Sequence, residues 1–319
     1  MIYHILVNPN ARRGQGRRVF REIEPVLKQS GVDYQVVFSK SSGHIAQVTG
    51  KLTSHKDIRL IVIGGDGTLN GVVDSIADFG NVRLGYIPAG SGNDFWRSLQ
   101  IPSEPVTLLR TILRDEIVRA LDIGTLTYLS RMAPADKDDD KPVPETTRFC
   151  VSAGIGFDAA VCEGVSRDGA GKRILTRMGL AKLSYIFVAL KLIAGNKNIA
   201  MDFRTDDGEP IHLDRAMFLA AMNTRYEGGG FLFAPDADTA DGLLDLCVVG
   251  DVSVPRFLRS FPLAYRGKHF ALKGVDHYLA SEVEIKTAEP MWVHTDGEVR
   301  VKSDHILITC GKRKLRMLM

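Results

Sequence analysis

The chain reads as two kinds of sheet in succession: an N-terminal α/β domain, with a parallel sheet covered by helices, and then a mainly antiparallel β domain. Three observations predict this. Over roughly the first 125 residues, short β-branched runs alternate with helix-patterned runs. The glycine-rich loops of that stretch fall directly after strands, where α/β sheets place ligands. Beyond Ile117, runs of strand-like alternation dominate and helical patterns are few. A length of 319 residues also suits two domains, at about 150 residues each.

In order, Ile2 to Asn8, Tyr34 to Phe38, Ile58 to Ile63 and Arg83 to Ile87 are the predicted parallel strands. Gly16 to Gln29, His44 to Leu52 and Thr68 to Phe79 carry apolar residues at helical spacing, with Pro25 expected to end or kink the first. Antiparallel strands are predicted within Ile117 to Leu129, Arg148 to Ala153, Ile211 to Met222, Val283 to Thr287 and His305 to Cys310. Between them, Ala133 to Glu145 is a charged, proline-rich run expected to be a solvated loop. Lys172 to Ala194 and Pro255 to Tyr265 read as helical insertions.

Composition excludes several classes. Hydrophobic residues make up 45% and charged residues 25%, a globular profile. Lys plus Arg (41) nearly cancels Asp plus Glu (38), so nothing points to a nucleic-acid binder. Cys150, Cys162, Cys247 and Cys310 form no C-x-x-C pair, which argues against a zinc or dithiol site and fits a reducing cytoplasm. The start lacks a basic n-region, and Leu183 to Ala194 is far short of the roughly 20 apolar residues of a membrane span. The expected location is therefore cytoplasmic, with any membrane contact peripheral.

The strongest chemical signal is Gly64-Gly65-Asp66-Gly67-Thr68-Leu69-Asn70, between an apolar strand and a helix. Glycines let backbone N–H groups approach an anion, and the helix N-terminus adds its dipole, so the segment predicts a phosphate cradle. Asp66 within it points to a cation between carboxylate and phosphate; Asp in a glycine-rich turn is in general more often a helix cap, but the strand on one side and the helix on the other favour the phosphate reading. A second loop, Pro88 to Phe95 (PAGSGNDF), follows the next strand in the same way, and two such loops at adjacent strand ends would line one crevice. Gly154-Ile155-Gly156-Phe157-Asp158-Ala159 matches G-x-G-x-x-A, but no acidic residue ends a second strand about 20 residues on, so a dinucleotide fingerprint is set aside. No G-K-[ST] triplet occurs, which excludes a P-loop. None of the eight histidines forms a metal-type pair. Asp296-Gly297-Glu298 suits either a hairpin turn or a carboxylate base, and the cluster Asp236, Asp238, Asp241, Asp245 either a hard-cation site or a solvated face.

Taken in order, Asn8-Pro9, Gly64 to Asn70, Pro88 to Phe95, Gly154 to Asp158, Asp241-Gly242-Leu243-Leu244-Asp245 and Asp296-Gly297-Glu298 resemble the bacterial diacylglycerol kinase-like lipid kinases, relatives of sphingosine and ceramide kinases. The resemblance spans nearly the whole chain. It implies an N-terminal α/β domain similar to those of NAD kinases and phosphofructokinases, and a C-terminal antiparallel β-sandwich whose last strand returns to the first domain. The domains would be residues 1–125, rejoined by 305–319, and residues 126–304. It further implies ATP and Mg²⁺, with Asn8, Pro9, Ser39, Gly64, Gly65, Asp66, Gly67, Thr68, Leu69, Asn70, Ser91, Asn93 and Asp94 at the nucleotide. Ser39 and Ser91 stand where the family usually has Thr, which keeps the hydroxyl. Asp241 resembles the side-chain ligand of Mg²⁺, with backbone oxygens near Asp238 and Leu243, and Glu298 resembles the general base, with Asp66 beside it in the catalytic set. Ala11-Arg12-Arg13 and Val151-Ser152 depart from the family pattern.

The expected partners follow from this: a lipid substrate, a peripheral membrane surface and no nucleic acid, with a homodimer allowed for. Arg12, Arg13, Arg17, Arg18 and Arg21 near one end, and Lys312, Arg313, Lys314 and Arg316 near the other, are candidate contacts for polyphosphate or anionic membrane. Met178 to Leu190 is a candidate lipid-facing helix and equally a core face. The rival readings are a soluble NAD kinase, which shares Gly-Gly-Asp-Gly-Thr, and a nucleotide- or lipid-binding regulator without turnover.

Overall fold

The computed structural model describes residues 2–116, 118–130, 145–167, 183–193 and 198–319. The chain divides into two compact units, one of residues 1–123 with 312–319, the other of residues 124–311. The segment expected to be a solvated loop falls outside the described residues except for exposed Glu145, as does the expected helix from Lys172 up to Ala181-Lys182.

In the first unit, β1 (Ile2–Val7), β2 (Asp33–Phe38), β3 (Ile58–Gly64) and β4 (Val82–Pro88) form a parallel sheet in the order β4-β3-β1-β2. Arg316–Leu318 pair in parallel with the free side of β4. Strand β3 is central and buried throughout, which is why it reads as a continuous apolar run with no alternation. Helices α1 (Gln15–Ser30), α2 (Ser42–Thr53), α3 (Asp66–Asp74), α4 (Asp94–Ser98) and α5 (Pro105–Arg114) connect the strands. Val19, Phe20, Ile23 and Leu27 form the buried stripe of α1. That helix does not end at Pro25: the residue is exposed, so the carbonyl it leaves without an intrahelical donor lies on the solvent side. Helix α3, expected to reach Phe79, stops at Asp74, because Asp78 accepts the Gly80 amide at 2.8 Å and starts a separate turn over Phe79–Asn81.

The second unit is antiparallel. Its strands are β5 (Val118–Tyr128), which enters from the first unit, β6 (Thr146–Phe149), β7 (Ser152–Gly156), β8 (Ile199–Thr205), β9 (Ile211–Ala216), β10 (Phe218–Met222), the two-residue β11 (Tyr226–Glu227) and β12 (Phe231–Leu232), β13 (Leu244–Val249), β14 (Val275–Ala280), β15 (Glu282–Thr295) and β16 (Glu298–Leu318). Strands β14, β13, β10, β7 and β15 lie side by side in that order. Successive residues of β10 and β13 serve two cores. Leu219, Ala221, Leu246 and Val248 face the sandwich interior with Phe149, Phe203, Ile285 and Ile306. Phe218, Ala220, Met222, Cys247 and Val249 face a layer containing α6 (Phe157–Arg167) and the helices Leu183–Ile193 and Val254–Ala264. Period-two side chains on a doubly covered strand account for the unbroken apolar runs.

Two expected strands are broken in this unit. The run Arg148 to Ala153 splits at Cys150-Val151, whose amides bond a side chain instead of a ladder partner. The run Ile211 to Met222 splits at Met217, where the chain passes from pairing with β8 to pairing with β13 and β7. Val283 to Thr287 and His305 to Cys310 are parts of the longer β15 and β16, and β15 has a register shift between Lys286 and Met291, around Pro290. Among the described residues no helix is long and apolar enough to cross a membrane.

Candidate active site

The first unit gathers its loops at the carboxyl ends of the parallel strands. The Asn8 amide donates to Ile63 O at 2.9 Å, the Ser39 amide to Val7 O at 2.8 Å and the Ala89 amide to Gly64 O at 2.6 Å, so the ends of β1 to β4 are fastened to one another. Asn8 Nδ2 also donates to Thr68 Oγ1 at 2.9 Å, which ties the first strand to the first turn of α3. The two glycine-rich loops touch through backbone. A Cβ on Gly65 would lie 2.9 Å from the Gly90 Cα, and one on Gly90 would lie 2.6 Å from the Gly65 Cα, distances that no side chain tolerates.

Helix α3 starts after Gly65 with no side-chain cap. The helix dipole and first-turn amides thus start within the Gly64–Asn70 loop, the arrangement from which the sequence predicts a phosphate cradle. The Asp66 carboxylate accepts the backbone amides of Asp94 at 3.2 Å and Phe95 at 3.4 Å, which binds the first loop to the second. Asn93 has φ +53°, and its Oδ1 accepts the Gly90 amide at 2.9 Å. Phe95 and Trp96 are buried against Tyr86, whose hydroxyl donates to Gly64 O at 3.1 Å. Of the predicted nucleotide residues, Pro9 is half-buried, Ser91 exposed, and Ser39, Thr68, Asn70 and Asp94 buried. Leu69 turns its side chain into the core and its amide to Gly65 O, so neither group faces the loop surface.

The second unit holds a different construction. The Asp296 carboxylate accepts three consecutive backbone amides, Cys150 at 2.9 Å, Val151 at 2.7 Å and Ser152 at 3.0 Å, and the Asp296 amide donates to Ser152 O at 2.8 Å. This clamp breaks the strand at Cys150-Val151. Asn223 completes the corner, with Nδ2 donating to Cys150 O at 2.8 Å and its own amide to Val151 O at 2.8 Å. Asp296 and Gly297 both have positive φ, +48° and +80°, and form the turn from β15 to β16. Glu298, the next residue, is exposed. The hairpin turn and the exposed carboxylate coexist: Asp296 makes the turn, and Glu298 extends from it.

Beneath the turn is a buried ionic group that the sequence did not disclose. His294 is fully buried, with Nε2 3.1 Å from Asp158 Oδ2 and 3.6 Å from Glu227 Oε1. Burial alone would lower the imidazole pKa, but the Glu227 charge, then the Asp158 hydrogen bond and charge, and then Asp296, push it up to about 9. Gly154, opposite His294 on β7, leaves room for the pair, since a Cβ there would come within 2.7 Å of His294 Nε2. The Gly154–Ala159 motif of the sequence thus accommodates this cluster. In the exposed loop before β13, Asp238 Oδ1 accepts the Ala240 amide at 3.1 Å and Asp241 Oδ1 the Leu243 amide at 2.9 Å, with Gly242 at φ +82°. Asp245 points inward and is held by His277 Nε2 at 2.7 Å. Among the described residues no group of three or more His, Cys, Asp or Glu side chains is arranged to hold a metal ion. A carboxylate flanked by backbone carbonyls is nonetheless a hard-oxygen donor set of the kind Mg²⁺ takes.

Of the basic clusters, Arg12, Arg13, Arg17, Arg18 and Arg21 are exposed, and Arg17 lies 5.5 Å over the Phe38 ring. The C-terminal cluster is not a free patch. Lys314 is paired with buried Asp122, and Arg316 donates to Gly80 O.

Residues 3–126 match the diacylglycerol kinase catalytic domain, and residues 151–315 match the YegS C-terminal NAD kinase beta sandwich-like domain. The chain is 27% identical over 302 residues to the Bacillus subtilis protein named "Putative lipid kinase YtlR", covering 93% of each. It is 24% identical over 297 residues to the Bacillus subtilis diacylglycerol kinase, covering 92% of this chain and 88% of that protein. A crystal structure of a diacylglycerol kinase from Bacillus anthracis str. Sterne superposes with a TM-score of 0.66 at 20% identity, over 99% of this chain and 96% of the other. An NAD kinase from Archaeoglobus fulgidus in complex with ATP superposes with a TM-score of 0.53 at 14% identity, over 100% and 94% of the two chains, a likeness of fold alone.

Proposed function

The chain belongs to the diacylglycerol kinase-like family of lipid kinases, and from that membership we propose that it transfers the γ-phosphoryl group of ATP to the hydroxyl of a lipid such as diacylglycerol. The observation that carries the reading is the backbone contact between the Gly64–Asn70 and Pro88–Phe95 loops at the open N-terminus of α3. Amides at such a terminus hold phosphate oxygens without a side chain between them. Asn8, Ser39 and Ser91 supply polar atoms around the same strand ends. The second unit presents the lipid, and Glu298, on the turn clamped by Asp296, accepts the proton of the acceptor hydroxyl as it attacks phosphorus. Asp241, with the carbonyls of Asp238 and Leu243, would hold Mg²⁺. That ion would brace the second unit, whereas the Mg²⁺ carried with ATP, beside Asp66, would neutralise charge developing on the phosphate oxygens.

The test is incubation of the full chain with labelled Mg-ATP and a panel of acceptors: diacylglycerol, a sphingoid base, ceramide, an undecaprenyl-type alcohol and NAD. Label in a lipid supports the reading and identifies the acceptor. Label in NAD alone assigns the rival kinase activity, and nucleotide binding without transfer to any acceptor assigns a regulatory role.

A further inference from the structure

The helix Val254–Ala264 and the turn after it are anchored on one face and apolar on the outer edge. Phe257 and Ala264 are buried, and Phe257 packs edge-on against Phe157 of α6 at 5.2 Å, so the helix is fixed to the layer below. Its outer edge is apolar as well. Val254, Leu258 and Tyr265 are 43%, 38% and 45% exposed, with half-buried Phe261 between the last two. Positions 254, 258, 261 and 265 recur at i, i+4, i+7 and i+11 and so form a single stripe along the helix. Phe231 meets Tyr265 at 4.8 Å and Phe261 at 5.9 Å, which stiffens the end of the stripe.

The charge beside this stripe is of one sign. Between Asp251 and Asp276 the chain has Arg256, Arg259, Arg266, Lys268 and Lys273 and no acidic residue, in a protein whose charges otherwise nearly cancel. All five cations are exposed, and none takes part in an ion pair among the described residues.

We propose that the helix Val254–Ala264, with Tyr265 to Lys268, is the element by which the protein docks on an anionic lipid bilayer. The argument is charge complementarity joined to the stripe. A rigid helix with large aliphatic and aromatic side chains at one edge and only cations beside it matches the acyl–headgroup boundary, where apolar groups insert and Lys or Arg meet anionic headgroups. A nucleic acid offers the charge but no place for Val254 and Leu258, and an uncharged partner leaves the five cations unused. The inference rests on the lipid-kinase reading only in its choice of a membrane as the natural surface.

The test is co-sedimentation of the full chain with phosphatidylcholine vesicles with and without phosphatidylglycerol, at low and high salt. The variants are V254S/L258S for the stripe and R259E/R266E for the charge. All four positions are exposed, so unchanged Tm and circular dichroism are expected. Wild type should bind the phosphatidylglycerol vesicles and be released by salt, and each double variant should lose affinity by at least about tenfold. Turnover of a monomeric, water-soluble short-chain diacylglycerol should stay within about twofold of wild type. Vesicle binding by the variants equal to wild type overturns the docking site whether or not the protein is a lipid kinase. Lost binding together with absent kinase activity in wild type retains the docking site and removes the functional reading. A stripe variant that changes the sedimentation-equilibrium mass and leaves vesicle binding intact assigns the stripe to a second copy of the chain, which also overturns the proposal.

Discussion

His294 Nδ1 lies 3.2 Å from the amide nitrogen of Gly297, across the turn that leads to Glu298, while the other nitrogen of the same ring faces Asp158. The two sides of the ring make opposite demands. Glu227, Asp158 and Asp296 favour a second proton on the imidazole, whereas the Gly297 N–H can be accepted only by an unprotonated Nδ1. The protonation of a wholly buried residue is thus coupled to the backbone that carries the candidate base.

The first prediction concerns pH and stability. The His294 pKa is raised from its ordinary 6.5 to about 9, so its contribution is fully present below pH 6.5 and is lost as pH rises through about 9. The maximum loss is on the order of 3 kcal/mol. Tm should therefore fall across that window, and the Gly297 amide resonance should titrate with it as the turn gains its hydrogen bond. An H294Q variant should be less stable at pH 6 and lose the slope. Identical Tm-against-pH curves for wild type and H294Q would show that the ring does not take up the proton on folding.

The second concerns the clamp. Asp296→Ala leaves the amides of Cys150, Val151 and Ser152 without their acceptor and should cost about 2–4 kcal/mol, while Asp296→Asn, which keeps an acceptor oxygen, should cost less. Urea denaturation at constant m-value reads the difference. A loss below about 0.5 kcal/mol for Asp296→Ala, within the range of an ordinary surface change, would mean that the clamp contributes little.

Much of this is legible in the sequence, for identifiable reasons. Strand-then-glycine punctuation located both loops of the first unit, because backbone that approaches backbone, as Gly65 and Gly90 do, tolerates no side chain and leaves its mark in composition. The antiparallel unit was legible as a class but not in its strand boundaries. Cys150 and Val151 look like strand residues, and only a carboxylate arriving from Asp296, 145 residues from Val151, takes them out of the ladder. His294 is not legible for the same reason: Asp158 is 136 residues away, and no local spacing encodes that pairing. A signal did exist for α5, where Glu104-Pro105 precedes Leu108, Leu109 and Ile112. The Glu104 carboxylate caps the Val106 and Thr107 amides, and Pro105 occupies the first turn.

The third prediction is for Asp66. Its carboxylate fastens the Asp94 and Phe95 amides to the phosphate-type loop, so Asp66→Asn, which replaces one acceptor oxygen with a donor, should loosen the second loop as well as remove a charge. Kinase activity should fall by at least about 100-fold with the far-UV spectrum unchanged. Unchanged kcat/KM would exclude Asp66 from the reaction.

The fourth is for Asp241. If it holds Mg²⁺, added Mg²⁺ should raise the Tm of wild type and not that of Asp241→Ala, because a cation that binds only the folded state stabilises it. Equal Mg²⁺-dependent stabilisation of the two proteins would assign the acidic loop to solvent.

The fifth concerns Glu298, where geometry and chemistry can be separated. Asp296 and Gly297 make the turn, with the clamp on Asp296 and the left-handed backbone at both residues, and Glu298 follows as the exposed first residue of β16. Its carboxylate is therefore dispensable to folding, and Glu298→Gln should leave Tm within about 1 °C of wild type. If Glu298 takes the proton of the acceptor hydroxyl, the loss should appear in kcat, on the order of 10²-fold to 10⁴-fold, with ATP affinity little changed. A purely structural role gives the reverse, with lowered Tm and turnover per folded molecule near that of wild type. Near-wild-type kcat in a well-folded Glu298→Gln protein would leave Asp66 as the remaining carboxylate of the proposed pair and shift the search for the base to the first unit.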